Sequence, residues 1–377
     1  MIYLDNASTT PVWDKAIRVT EQIYGCDFFN PSSTYRGGIE AKNKINEARL
    51  IVAKRLNCKA GEVYFTSCAT ESNNWAITCA IGNGKGNIVV SGGEHACVYE
   101  CAKNLKNKGC DVRFTRLLPN GTVDVEHLFS LIDNETRLVS VIHASNETGA
   151  VNDIAALTKL VKSKNPNVIF HSDGVQAYLK IDNDVRALGV DLYSISGHKV
   201  GAPKGVGALY VSPRVKLRPF IFGGGQETGM RSGTENVAGI VSLGVATEEY
   251  SARFDRDKIL TLREKLKELL KRSIEGVIFL GEGAETNGTI LAVSVPNTRA
   301  EIIQSMCADE GVIIGRGSAC SSRHGGNRVL ETAGLNKCTI DGAIRLSTSP
   351  LTTEEEITEA AQTIARCAEK LRGRRVG

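Results

Sequence analysis

The stretch Asp191-Leu192-Tyr193-Ser194-Ile195-Ser196-Gly197-His198-Lys199 carries the most information about this chain. The mainly apolar run over residues 191–196 predicts a buried strand, and it is followed at once by an imidazole and an amine. A lysine held at a strand end among polar groups can form a Schiff base with a carbonyl cofactor, and pyridoxal phosphate is the leading candidate. A simply solvated lysine is the alternative, so the neighbouring segments decide between the two.

Short β-rich runs alternate with helical patterns on both sides of this stretch, from about Glu62 to Val211. Such alternation is typical of an α/β fold, in which a mainly parallel sheet is covered by helices on both faces. We therefore predict a seven-stranded sheet. Its strands are expected at Val63–Thr66, Ile88–Ser91, Asp111–Thr115, Leu138–His143, Val168–Ser172, Asp191–Ser196 and Ala208–Val211.

The pattern changes after Asn236 and predicts a second, smaller α+β domain. Apolar residues at helical spacing indicate one long amphipathic helix between roughly Arg256 and Ser273. The final helix opens with a capping box at Thr353–Glu356. A chain of 377 residues is too long for one ordinary core. We expect a large domain over residues 14–255 and a small domain formed by residues 1–13 and 256–377, with strands at Val277–Leu280, Thr289–Val295 and Val312–Ile314.

Ligands of open α/β sheets bind outside the carboxyl ends of the strands, so the residues at those ends test the lysine hypothesis. Ser67–Asn74 runs with small and hydroxylated residues into a helix, a pattern that suits either a phosphate cradle or an ordinary N-cap. His95 follows paired glycines and could lie against a ring, and Asn146 offers an amide. Asp173 could pair with a protonated ring nitrogen or cap a helix. Together with Lys199, five strand ends offer five groups that one cofactor requires, which independent capping would rarely produce.

One of the eleven cysteines differs from the rest in its surroundings. Cys320 lies in a polar, glycine-rich segment after an apolar run, and basic side chains flank it, which favours a reactive thiolate over the thiol. Those basic residues are Arg316, Arg323 and His324. The other cysteines are scattered without a C-x-x-C pair, and we expect them to be reduced and mostly buried, with no structural zinc site.

A second glycine-rich stretch, Phe222–Glu227, is followed by the polar segment Arg231–Thr234. Its glycines and charges exclude the interior of a helix or strand. Either it is a flexible surface loop, or it reaches a neighbouring active site and contacts the phosphate there.

Composition and charge exclude several functional classes. Hydrophobic residues make up 42% and charged residues 23% of the chain, as in ordinary globular proteins. The net charge is only +4, with basic and acidic residues interspersed, so nucleic-acid binding is not indicated. The first residues lack the pattern of a signal peptide, and no apolar run approaches the ~18 residues that span a bilayer. We expect a cytoplasmic protein with no membrane partner.

Taken together, the motifs resemble the cysteine desulfurases of the NifS/IscS group, which belong to the class-V aminotransferase-like, fold-type-I enzymes that use pyridoxal phosphate. The resemblance covers almost the whole chain. It rests on Tyr3–Pro11, Asn30–Ser33, Ala69–Asn74, Glu94-His95, Asn146–Gly149, His171–Ala177, Ser196–Lys199, Pro203–Gly205, Arg231–Asn236 and Gly317–Ser322.

The resemblance implies a role for each matching residue. Lys199 would hold pyridoxal phosphate as a Schiff base, and His95 would stack on its ring and move protons. Cys320 would accept sulfur, while Asn146 and Arg345 would bind the substrate carboxylate. The remaining cofactor-binding residues would be Asp173 at the pyridine nitrogen, Gln176 at the ring hydroxyl, Ala69 beside the phosphate turn, and Thr70, Ser196, His198 and, from the other subunit, Thr234 at the phosphate.

The implied activity is removal of sulfur from L-cysteine, giving L-alanine and a persulfide on Cys320. The persulfide would pass to a sulfur-acceptor protein, either an iron–sulfur scaffold or a thiolation protein, and the enzyme would be a homodimer that shares its active sites. A selenocysteine lyase or another β-elimination enzyme is the close alternative, and a non-catalytic scaffold is the distant one. Some positions depart from the family pattern, and they leave the reaction rate and the choice of sulfur acceptor open. These positions are Tyr35, Cys68, Asn152-Asp153, Arg316 and Ser349-Pro350.

Overall fold

The protein is represented by a computed structural model that describes residues 1–81, 86–317 and 327–373. Its strands are β1 (Ile2–Leu4), β2 (Val63–Thr66), β3 (Asn87–Ser91), β4 (Asp111–Thr115), β5 (Thr136–Ser140), β6 (Ile169–Asp173), β7 (Leu192–Ser196), β8 (Gly207–Val211), β9 (Ile278–Leu280), β10 (Ile290–Ser294), β11 (Val312–Ile314) and β12 (Ala343–Ser347). Its helices are α1 (Asp14–Gly25), α2 (Arg36–Arg55), α3 (Ala69–Ile81), α4 (Ala96–Asn107), α5 (Val125–Leu131), α6 (Ile154–Lys164), α7 (Val185–Leu188), α8 (Val237–Arg253), α9 (Arg256–Ser273), α10 (Ala300–Asp309), α11 (Arg328–Thr332), α12 (Lys337–Asp341) and α13 (Glu354–Gly373). None of the helices within these three ranges is both long enough and apolar enough to cross a bilayer.

All seven predicted strands of the main sheet are present, in the order β2-β8-β7-β6-β5-β3-β4. The pairs from β4 through β7 are parallel, whereas β8 runs antiparallel to both β2 and β7. The prediction of a mainly parallel α/β sheet is therefore confirmed. Strand β5 ends at Ser140 rather than at His143, yet the following backbone stays bound to β6, because His143 N donates to Asp173 O at 3.0 Å.

Helices cover both faces of this sheet, as the alternation of buried side chains shows. Ile88 and Val90 belong to an apolar cluster with Trp75 of α3, while Val89 between them belongs to a cluster with Ile45 of α2. Every residue of β3, β7 and β8 is buried, which explains why these strands are rich in apolar residues and carry no charged side chain.

A second group of elements packs around a separate apolar cluster. Strands β12, β10 and β9 form an antiparallel sheet, and β1 pairs in parallel with β11. Helix α9 has the predicted bounds because its buried leucines recur at helical spacing and Asp255 caps it, accepting from Lys258 N at 3.1 Å. The capping box of α13 is also formed: Thr353 N donates to Glu356 Oε2 at 2.9 Å, and Glu356 N donates to Thr353 Oγ1 at 3.2 Å.

We propose the domain bounds 14–255 for the large domain and 1–13 with 256–377 for the small one. Ile2 and Leu4 support this division, because they share an apolar cluster with Leu262 of α9 and Ile364 of α13. The first strand therefore packs with elements that follow it by more than 250 positions in the chain.

Burial of His171 is expected to make the protein sensitive to acid. The ring lies fully buried in β6, between Ser140 Oγ at 2.9 Å from Nδ1 and Ser194 Oγ at 3.2 Å from Nε2. Burial lowers the pKa of this imidazole to about 3. Below pH ~6.5 the unfolded chain binds a proton that the folded chain does not. The free energy of unfolding therefore decreases as the pH decreases, and this side chain contributes about 2–3 kcal/mol of that decrease between pH 6.5 and 4.5.

Urea unfolding of the cofactor-free protein at several pH values measures this effect. The His171→Asn variant is expected to show a pH slope smaller by close to one proton across that range, whatever its stability at pH 7. Equal slopes for the wild type and the variant would contradict the prediction.

Candidate active site

A cavity of about 280 Å³ lies at the carboxyl ends of β2, β6 and β7 and is lined from both groups of elements. The β7 end supplies Lys199, β12 supplies Arg345, and the N-terminal segment supplies Ala7 and Ser8. The structure brings together here all of the predicted site residues except Thr234 and Cys320. Those present are Ala69, Thr70, His95, Asn146, Asp173, Gln176, Ser196, His198, Lys199 and Arg345.

Lys199 ends a short 3₁₀ turn directly after β7. The chain turns tightly there because Gly197 lacks a side chain; an added Cβ would lie 2.9 Å from Val206 Cγ1. The Lys199 amine donates to the carbonyl oxygens of Ala7 at 2.6 Å and of Ser8 at 2.7 Å. Burial, with the nearby Arg345 charge, lowers the pKa of this amine to about 8. A larger neutral fraction makes it a better nucleophile and base than an ordinary lysine.

Asp173 ends β6 as a carboxylate with almost no exposure to solvent. Val175 N donates to its Oδ1 at 3.0 Å, and Asn73 Nδ2 donates to its Oδ2 at 2.7 Å. Burial raises the pKa of the Asp173 carboxyl, and nearby His95 opposes that shift. Within the described residues it forms no ion pair, although a buried carboxylate calls for a cationic partner. A protonated pyridine nitrogen in the cavity fits that requirement.

His95 caps the N-terminus of α4 through its side chain. Its Nδ1 accepts a hydrogen bond from Cys97 N at 3.2 Å and lies 3.0 Å from Cys97 Sγ. Burial lowers the pKa of His95, although Asp173 opposes that shift and Lys199 adds to it. The ring is therefore neutral at physiological pH, and because Nδ1 accepts, Nε2 carries the proton.

The opposite end of the cavity suits an anion. Ala69 and Thr70 open α3, whose backbone N–H groups and dipole favour negative charge, and Ser196 adds a hydroxyl. Burial, with the nearby Lys199 charge, lowers the pKa of His198 to about 3. Its Nδ1 lies 3.1 Å from Thr9 Oγ1, so the neutral ring can present Nε2–H as a donor. Pyridoxal phosphate therefore fits the cavity, because Asp173 can accept from its protonated ring nitrogen and the donors around the start of α3 can bind its phosphate.

Arg345 and Asn146 form another part of the cavity lining. Arg345 Nη1 donates to Asn146 O at 2.7 Å, and its Nη2 donates to Ser8 Oγ at 2.7 Å and pairs with Asp5 Oδ1 at 3.1 Å. Asn146 Nδ2 donates to Glu147 Oε1 at 2.7 Å. Arg345 Nε and Asn146 Oδ1 are buried without hydrogen-bond partners in the described part of the chain. Arg345 brings a guanidinium charge to the lining of the cavity, and this charge suits a ligand carboxylate.

Several residues of the site were not singled out from the sequence. Asn73 holds Asp173, and its position four residues after Ala69 on one helix face was a usable signal. Asp5 and Ser8 join the site only through tertiary packing of the N-terminal segment against β12, for which the sequence carries no local signal. Cys97 lines the cavity beside His95, where helical context predicted only packing.

The structure places Thr234 in another cleft, together with Ser67 and Arg231. Arg231 Nε donates to Glu71 Oε1 at 2.7 Å, which ties this segment to α3 rather than to the cavity. Within one chain Thr234 therefore does not meet Lys199, and its role at a second subunit stays a prediction. Cys320 lies outside the described residues, and its role likewise stays a prediction.

Comparison with known proteins agrees with this geometry. The chain matches the family described as aminotransferase class-V over residues 2–359. Cysteine desulfurase IscS of Shewanella baltica (strain OS155 / ATCC BAA-1091) is 39% identical over 385 residues, covering 98% of this chain and 93% of that protein. A solved NifS-like protein superposes with a TM-score of 0.91 at 34% identity, covering 98% of this chain and 100% of the other. The structure of SspA in complex with cysteine superposes with a TM-score of 0.82 at 29% identity, covering 94% and 100%.

These matches extend over nearly the whole length of both proteins in each comparison, and most of the cavity side chains belong to the motifs on which the resemblance rests. The chain therefore belongs to the class-V aminotransferase family, among the cysteine desulfurases of the NifS/IscS type.

Proposed function

We propose that this protein is a pyridoxal phosphate-dependent cysteine desulfurase, which converts L-cysteine to L-alanine and moves the sulfur to Cys320 as a persulfide. One observation carries the proposal: the Lys199 amine, the buried Asp173 carboxylate and the Arg345 guanidinium group line a single cavity. The IscS and NifS-like relatives support the same activity.

The residues that would hold the cofactor follow from the cavity. Lys199 would bind its aldehyde carbon, Asp173 its ring nitrogen and Gln176 its ring oxygen. Its phosphate would lie at the start of α3 with Thr70, Ser196 and His198. When bound, pyridoxal phosphate supplies an electron-withdrawing ring that acidifies the substrate Cα–H bond.

The protein's own groups then orient the substrate and move protons. Arg345 binds the substrate carboxylate, which aligns the Cα–H bond with the Lys199 amine. With its pKa lowered to about 8, that amine takes a proton from Cα and returns one later. The neutral His95 ring packs beside the reacting atoms and offers Nε2–H as a donor.

Sulfur transfer balances without an added oxidant. The Cys320 thiolate attacks the sulfur of L-cysteine, an S–S bond forms as the C–S bond breaks, and the electron pair of that bond remains on the substrate carbon. Protonation of this carbon gives L-alanine. The persulfide is then available to a sulfur-acceptor protein.

We further propose a cytoplasmic homodimer in which Thr234 completes the phosphate site of the other subunit. Its position outside the cavity of its own chain supports this arrangement, as does the exposed aromatic side chain of Phe222 in the same segment. The cysteines of the described ranges are all free, as expected in a reducing compartment.

Incubation of the purified, cofactor-loaded protein with L-cysteine tests the function. Without a reductant, we expect about one alanine and one protein-bound persulfide per active site, and repeated turnover when a thiol reductant removes the persulfide. L-serine, which has oxygen in place of sulfur, is the matched control and is expected to give no alanine. Pyruvate with free sulfide would instead indicate the β-elimination alternative, and no product from L-cysteine would contradict the proposal.

A further inference from the structure

Lys180 is a buried lysine behind the wall of the cavity, and the proposed chemistry does not use it. Only 5% of the surface of Lys180 is exposed to solvent, and its amine donates a hydrogen bond to Gln176 Oε1 at 3.0 Å. It does not line the cavity, and no carboxylate of the described residues pairs with it. Gln176 is thus the polar group that its amine contacts.

Within the described residues, the hydrogen bond to Gln176 is the one polar contact of the buried Lys180 amine. Transfer of an ammonium group from water to a protein interior costs several kcal/mol unless it is paired. Burial and the Lys199 charge lower the pKa of Lys180 to about 7. Both the ammonium and the neutral amine can donate the hydrogen bond to Gln176, so the contact holds in either state.

The Gln176 amide is held at both of its ends. Its Nε2 donates to Ala7 O at 2.9 Å, the same carbonyl oxygen that accepts from Lys199. The Ala7 carbonyl can only accept, so it requires the amide nitrogen, and the amine of Lys180 takes the amide oxygen. One N–H of Gln176 remains for the cavity that this residue lines.

We infer that Lys180 is a positioning residue that fixes the Gln176 amide so that its remaining N–H faces the ring oxygen of the cofactor. This inference rests on the proposed function, because it needs pyridoxal phosphate as the ligand. Without Lys180, the buried Oε1 of Gln176 loses its donor and the amide can rotate away from the cavity.

A double-mutant cycle on cofactor affinity tests the inference without any turnover. Pyridoxal phosphate is titrated into the cofactor-free wild type, Lys180→Met, Gln176→Ala and the double variant, and binding is followed by absorbance. We expect Lys180→Met to weaken affinity about tenfold, as for loss of one hydrogen bond to a charged group. In the Gln176→Ala background the same substitution is expected to change affinity less than about twofold.

Controls separate positioning from general damage. Lys180→Arg keeps a donor of similar reach and is expected to bind within about threefold of the wild type. Lys162→Met removes a half-buried lysine that pairs with Asp191 at 3.1 Å in another cleft, and it is expected to leave cofactor affinity unchanged. If Lys180→Met does not fold, Lys180→Gln, which lacks the charge and has a shorter reach, replaces it in the cycle.

Two results would overturn the inference: unchanged affinity in Lys180→Met, or an equal loss in both backgrounds. Failure of the wild type to bind pyridoxal phosphate would instead overturn the proposed function. The two failures are therefore distinguishable in one set of titrations.

Discussion

Replacement of Lys199 by alanine is expected to abolish covalent attachment of pyridoxal phosphate and to reduce alanine formation about 1000-fold or more. Lys199 lines the cavity, and in the proposed mechanism its amine serves as both the attachment point and the base. The rest of the cofactor site is untouched, so we expect pyridoxal phosphate to bind noncovalently. Borohydride reduction followed by peptide mass spectrometry measures the linkage.

Lys204→Ala is the matched control for this variant. Lys204 is an exposed lysine five residues further along the same connection, and it does not line the cavity. Its removal is expected to leave the linkage at Lys199. A borohydride-stable linkage of normal yield in Lys199→Ala would show that another lysine carries the cofactor. Lys180 cannot readily take that place, because its amine lies behind Gln176.

Replacement of Cys320 by alanine is expected to retain bound pyridoxal phosphate but to lose the protein-bound persulfide and at least about 100-fold of alanine formation. Without the thiolate, nothing accepts the sulfur of L-cysteine, so the C–S bond stays intact. Alanine is quantified after incubation with L-cysteine, and the persulfide is located by alkylation and mass spectrometry.

Two other cysteines line the cavity and serve as matched controls. Burial raises the pKa of the Cys97 thiol to about 12, so it stays protonated and is a poor nucleophile. We expect Cys97→Ala and Cys68→Ala to keep the persulfide at residue 320. A persulfide on Cys68 or Cys97 in the Cys320→Ala variant, with undiminished alanine, would reassign the acceptor.

Sequence patterns predicted the sheet well because its strands are buried on both faces. Runs such as Leu192–Ser196 carry no charged side chain, and the leucine spacing and the Asp255 cap indicate helix α9. The grouping of the candidate cofactor residues in one cavity was predictable because most of them follow strands whose carboxyl ends meet at one edge.

Other features depend on contacts between distant segments and carry no local signal. Strand β12 was not predicted, because Arg345 interrupts its apolar run and is stabilised there by Asp5, Ser8 and the Asn146 carbonyl. The antiparallel direction of β8 is likewise fixed by its neighbours β2 and β7 rather than by its own residues. The position of Thr234 outside the cavity of its own chain is compatible with the expectation that it serves the other subunit, a role that stays a prediction.

The ion pair between Arg345 and Asp5 joins positions 340 residues apart in the chain. The hydrogen bond from Lys199 to the Ala7 carbonyl joins positions 192 residues apart. On the ribosome, a growing chain therefore contains most of the proposed cofactor-binding residues long before its cavity is complete. The N-terminal segment can contact Arg345 only after β12 has been synthesised. If the chain binds pyridoxal phosphate as proposed, the complete binding site therefore forms only late in synthesis, and the cofactor would stabilise finished chains rather than nascent ones.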